Sequence, residues 1–139
     1  MKPYLDVASL SQPRATELLN ITKRYNMHKQ VTWISAYSAT LSILKSLDSS
    51  ARLGYVRENT DAENINIING LKTDTNDVFI DIGYYALTND FITLCINNDI
   101  PIEVWTINDA AILVGLDPYI SGYTSDTLRA NVVLYNKFI

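Results

Sequence analysis

The sequence predicts an α/β fold with a parallel sheet, and three observations point there. Short β-branched and aromatic runs alternate with longer segments of helical period along the whole chain. The alternation amounts to about six strands and five helices, and such a series builds parallel sheets with right-handed crossovers. The 139 residues, 47% of them hydrophobic and 19% charged, suffice for one domain with its own core. Two architectures satisfy this pattern. An open doubly wound sheet suits the length. A portion of a closed (β/α)8 barrel suits it too, since a whole barrel needs about 250 residues. Periodicity does not choose between them.

Each element has a local reason. Residues 3–7 read as a short strand. Ser11 can cap a helix, Pro13 is tolerated in its first turn, and Ala15, Leu18, Leu19, Thr22 and Tyr25 recur at helical spacing. Residues 31–35, with Val31, Trp33 and Ile34, form the next strand. Leu41, Leu44 and Leu47 mark a helix, and residues 52–56 a strand. Thr60 and Glu63 have capping-box spacing ahead of Ile65, Ile68 and Leu71. Residues 72–77 are a polar loop before the strand at 78–81. Thr88 caps a helix whose apolar face carries Phe91, Leu94 and Cys95. Pro101 opens the strand at 102–106, Asp109 starts a short helix, residues 119–123 form a late strand, and 132–135 read as a further one.

Composition excludes several functions. A net charge of −4 without a Lys/Arg run argues against nucleic acid and against anionic membranes. No apolar run is long enough to span a bilayer, and no signal peptide is evident. One cysteine, Cys95, permits neither an internal disulfide nor a multi-cysteine metal site, and it reads as core. The five glycines form no nucleotide-binding pattern.

The motifs appear in a telling order. Lys23-Arg24-Tyr25-Asn26-Met27 precedes Val31-Thr32-Trp33-Ile34-Ser35. Leu47-Asp48 then leads to Arg52-Leu53-Gly54-Tyr55-Val56. Ile102-Glu103-Val104-Trp105-Thr106-Ile107-Asn108-Asp109 is followed by Ile120-Ser121-Gly122-Tyr123-Thr124-Ser125-Asp126. This set resembles the later part of glycerophosphodiester phosphodiesterases, with their K-K-Y-G-M, L-D-P-x-A-R-L-G-Y, V-W-T-V-N and D-G-I-I-T-D segments. The resemblance covers essentially the whole chain. It implies that residues 1–139 are a single domain, the C-terminal five to six β/α units of a TIM barrel. It further implies part of a metal-dependent phosphodiesterase acting on a glycerophospholipid or teichoic-acid type substrate.

In that family two histidines act as acid and base, and a divalent metal, Ca²⁺ or Mg²⁺, is held by an E-x-D motif and a Glu of an E-I-K strand. The histidines and E-x-D motif have no counterpart in this chain. Asp6 takes the place of the ligand Glu, and Ala8 that of the Lys facing phosphate. The resemblance therefore implies no catalytic residue here, Asp6 as the metal ligand, and no hydrolysis by this chain alone. The alternative is a non-catalytic module of a cell-surface or phage tail protein that binds a glycerol-phosphate polymer. A piece that only completes another chain's barrel is a third reading. Self-association or pairing with an N-terminal half is expected of an unfinished barrel.

Each candidate has a plainer reading beside it. Trp105, at a strand's C-terminal end, is a pocket wall or a core residue; Glu103 and Trp105 share one strand face, expected to be the barrel interior. Ser35, at another strand end, is a possible hydroxyl contact to substrate. Asp6, Asp81 and Asp126 lie near strand C-termini and suit Ca²⁺ or Mg²⁺ if they converge, yet aspartate is common there as a helix cap. Asp109 reads as such a cap. His28, the one histidine, falls before a strand and thus on the opposite face.

Overall fold

A computed structural model describes residues 3–126 of the chain. The strands are β1 (Tyr4–Asp6), β2 (Thr32–Ser35), β3 (Arg52–Arg57), β4 (Val78–Gly83), β5 (Ile102–Trp105) and β6 (Ile120–Tyr123). The helices are α1 (Gln12–Arg24), α2 (Ser38–Leu47), α3 (Glu63–Leu71), α4 (Asn89–Asn97) and α5 (Ala110–Val114). The strand expected at 132–135 lies outside the described residues.

Some helix boundaries follow local chemistry, although Ser11 stands at the N-cap of α1 without a side-chain capping bond. Thr88 Oγ1 accepts from the Phe91 N–H, and Asp109 Oδ1 from the Ala111 N–H, so both cap as expected. The chain leaves α1 and α4 through Asn26 (φ 56°) and Asp99 (φ 52°), two residue types that tolerate the left-handed region. The capping box at 60–63 does not form. Ala62 stands at the N-cap in a helical conformation without a side-chain bond. Asn59 takes over: its Oδ1 accepts from the Asp61 N–H and from Asn64 Nδ2. An amide one residue upstream reaches both donors, which leaves the Thr60 hydroxyl no role in starting α3.

The sheet settles the architecture. All neighbouring strands are parallel and run in the order β1-β2-β3-β4-β5-β6. A doubly wound sheet reverses its order at a switch point; this one does not. Right-handed crossovers then place every helix on one face, and the other face must curl upon itself. The curl is direct in the side chains. In a flat sheet β1 and β5 would stand roughly 19 Å apart, four spacings of about 4.8 Å. Yet the Tyr4 hydroxyl donates to Glu103 at 2.7 Å. The fold is a partial (β/α)8 barrel.

Its core divides by strand alternation. Trp33, Leu53, Ile80, Ile82, Ile102 and Val104 face the helices and meet Leu19, Leu41, Leu44, Ile68, Phe91 and Cys95. The inner face carries Tyr4, Thr32, Arg52, Phe79, Asp81 and Glu103. Phe79 fills the inside only because Gly54 opposes it: a Cβ there would stand 2.4 Å from the ring.

Candidate functional site

The inner face is a polar network over a buried floor. Arg52, first residue of β3, donates from Nη2 to Glu103 Oε1 at 2.6 Å and from Nη1 to the Tyr4 and Thr32 hydroxyl oxygens at 3.0 Å. Its guanidinium lies 4.3 Å from the Phe79 ring centroid. Glu103 thus obtains the partner that a buried charge requires. In sequence Glu103 stood out as a charge within an apolar strand, but nothing there named Arg52 or Tyr4 as its partners.

Beside Glu103 in the strand register stands Asp81. Its side chain is buried and makes no hydrogen bond among the described residues. Burial, followed by the charges of Glu103 and Asp6, raises its carboxyl to about 7. Asp6 ends β1 on the same inner face and is exposed. Asp126 does not join them: its carboxylate accepts from Asn108 Nδ2, and its N–H donates to Asn108 Oδ1 at 2.9 Å. Asn108, from the β5 motif, therefore clamps the loop after β6. No three His, Cys, Asp or Glu side chains among the described residues are arranged to hold a metal ion. Glu103 is engaged by Arg52 and Tyr4, which leaves Asp6 and Asp81 as the carboxylates of this face without a hydrogen bond among the described residues.

Trp105 closes β5 on the Glu103 side. Its indole N–H donates to the Asp81 carbonyl at 3.1 Å, and the Tyr85 ring meets it edge-on at 6.0 Å. Gly83 makes room for this, since a Cβ there would lie 2.7 Å from the Tyr85 ring. Trp105 is half-buried and, with Ala36, Val56, Arg57, Glu58 and Asn59, lines a pocket of about 340 Å³ at the C-terminal rim. Arg57, last in β3, pairs with Ile82 in the register and lays its guanidinium 5.2 Å from the Tyr55 ring centroid, on the helix-facing side of the strand.

The other candidates lie elsewhere. Ser35 is fully buried beneath the rim; its hydroxyl donates to the Val7 carbonyl at 2.6 Å and accepts from the Tyr37 N–H at 3.1 Å. It braces the end of β1 against the start of α2. Ala8 offers only a methyl group, and its carbonyl accepts from the Thr40 hydroxyl. His28 precedes β2, half-buried, at the opposite end of the barrel. A pocket of about 450 Å³ opens at that end too, near Lys72, Asn76 and Asp77. Two of its polar groups are bonded internally: Lys72 Nζ donates to the Asn98 carbonyl and Asn76 Nδ2 to that of Leu71.

No protein-family model and no curated protein sequence matches the chain. Solved structures do. A glycerophosphodiester phosphodiesterase from Parabacteroides distasonis superposes with a TM-score of 0.75 at 16% identity, covering 98% of this chain and 58% of that one. A phosphodiesterase from Oleispira antarctica, in complex with the product sn-glycerol-3-phosphate, gives 0.75 at 14% identity, covering 89% and 50%. A glycerophosphodiester phosphodiesterase from Thermotoga maritima gives 0.63 at 19% identity, covering 96% and 57%. The chain spans little more than half the length of these structures, and over that span it has the fold of the glycerophosphodiester phosphodiesterase barrel.

Proposed function

We propose that the chain is a portion of a glycerophosphodiester phosphodiesterase-type barrel, that its rim binds the glycerol-phosphate end of a diester or polymer, and that it does not hydrolyse that ligand by itself. The observation that supports this most is the Trp105 pocket, open at the barrel end where (β/α)8 enzymes place their ligands. An indole wall suits the carbon skeleton of a glycerol or alcohol group, and the polar rim residues suit its oxygens. Hydrolysis needs a proton donor and acceptor near the scissile bond, and the chain's one histidine is at the wrong end. In the intact family-type barrel, a divalent cation would supply charge stabilisation at the phosphate; here Asp6 and Asp81 would contribute only part of its ligands.

A second reading has one residue in its favour. Ala8 stands where the resembling family has a phosphate-facing Lys, and a binding module for a glycerol-phosphate polymer has less need of that cation in a transition state. The test is an assay with glycerophosphocholine and added Ca²⁺ or Mg²⁺, paired with a binding titration of the same compound. Binding without release of glycerol 3-phosphate is expected. Metal-dependent release above a protein-free blank would overturn the non-hydrolytic part, and absence of binding would overturn the rim assignment.

A further inference from the structure

We propose that the open side of the curled sheet is a docking surface for a polypeptide of two successive β/α units, whose parallel strands enter between β6 and β1, and that a second copy of this chain is not that partner. The inference rests on strand order, curvature and burial, and it is independent of the rim reading above.

The outer face is uncovered beside β1. Leu5, Trp33 and Leu53 are register partners on β1, β2 and β3 and face the helix layer. Trp33 and Leu53 are 1% and 0% exposed, whereas Leu5 is 37% exposed. A crossover helix lies over the seam of the two strands it joins, so α1 covers one side of β1 and the other side needs the helix of a further unit. On α1 itself, Leu18, Ile21 and Tyr25 share a face by their three- and four-residue spacing, and Ile21 and Tyr25 are exposed. The inner side is open at the same edge, where Tyr4 and Asp6 are exposed. At the far edge Ile120 and Tyr123 are half-buried, while their register partners Ile102 and Val104 are fully buried. Unpaired strand edges beside uncovered apolar residues fit a parallel strand that brings its own helix.

The curvature fixes how many strands fit. Tyr4 on β1 donates to Glu103 on β5 at 2.7 Å. A tyrosine and a glutamate extended towards each other bridge backbones roughly 14 Å apart. Strands four places apart stand about 15 Å from each other across an eight-stranded barrel, but about 20 Å across a twelve-stranded one. The observed bond therefore belongs to the eight-stranded curve. Among the described residues β6 does not pair with β1, so six strands on that curve leave room for two. A second copy brings six, and the twelve-stranded ring it would close breaks the Tyr4–Glu103 bond. Two β/α units fill the space and set a helix over Leu5.

The test is sedimentation of the 139-residue chain, alone and mixed with the parts of the Parabacteroides, Oleispira and Thermotoga proteins that lie outside the span of this chain. Alone, its edges pair but no ring closes, so its mean mass should climb steadily with concentration. At least one of the three segments should convert it to a discrete 1:1 complex. Hydrogen exchange should then slow in β1 and β6 and stay unchanged in β3. Leu5→Lys should leave the circular dichroism of the chain unchanged and weaken the complex about tenfold or more, because the ammonium would be buried under the partner's helix. A compact dimer whose mass does not vary with concentration would overturn the proposal, since a second copy would then close the ring. So would an ideal monomer, in which the chain fills its own gap. Failure of all three segments to form a 1:1 complex would overturn it too, as would a complex indifferent to Leu5→Lys with exchange in β1 and β6 unchanged. No readout involves glycerol 3-phosphate, so the rim reading stands or falls separately.

Discussion

Replacing Asp81 by Asn should stabilise the protein at pH 8 and not at pH 4. Asp81 is 4% exposed, makes no hydrogen bond through its carboxyl among the described residues, and sits in the fields of Glu103 and Asp6. Burial and those two charges raise its carboxyl from 3.8 to about 7. The sign follows from linkage. In this window the folded chain holds a proton that the unfolded chain has released, so stability falls as pH rises from about 4 to about 7 and is flat above. From 3.8 to about 7, at 1.36 kcal/mol per pH unit, the loss is about 4 kcal/mol. Asn keeps the shape and removes the charge, but its amide is also buried without a partner, at a cost of about 1–3 kcal/mol. The net gain for Asp81→Asn at pH 8 is therefore about 1–3 kcal/mol, and at pH 4 the variant is equal or less stable. Urea unfolding of both proteins at pH 4, 6 and 8 in EDTA, followed by circular dichroism, measures the difference directly. Comparing the two proteins cancels the titration of groups distant from Asp81. A difference that is constant between pH 4 and 8, or that turns against Asn as pH rises, would refute the reasoning.

Two further outcomes follow from the same coordinates. Trp105→Ala should cost about 1–2 kcal/mol, for its Tyr85 contact and one hydrogen bond, and should abolish glycerol 3-phosphate binding; Trp33→Ala, 1% exposed under the helices, should cost about 3–5 kcal/mol. Equal costs in denaturant melts would contradict the different placement of the two indoles. Among the described residues β1 and β6 are sheet edges, and β1 exposes Tyr4 and Leu5, so the chain should self-associate. Sedimentation showing an ideal monomer at roughly tens of micromolar would count against an unfinished barrel edge.

The elements were legible because their causes are local. Period, β-branching and two side-chain caps marked six strands and five helices to within a residue or two at most ends. The choice of a barrel was not legible from periodicity, because sheet order depends on which strands pair, a non-local property. The ordered motifs supplied it, and the strand order now supports it independently. Trp105 could be assigned a face because Glu103 two residues earlier cannot lie easily in a helix interface. Ser35 could not be judged: a hydroxyl at a strand end looks the same whether it meets a ligand or the Val7 carbonyl. Asn108 and Asp126 were invisible as a pair because 18 residues separate them.

The bonds from Tyr4 and Arg52 to Glu103 have a geometric consequence beyond their energy. They act as a chord across an arc, tying the first strand to the fifth. A chord of fixed length and strands of fixed spacing determine a radius, so these six strands carry their own curvature without a template. Any strands that complete the circle, from a second copy or another chain, would meet a gap of preset width. The ordering of β1 through β5 is then done before assembly, and the partner need supply only edges that fit.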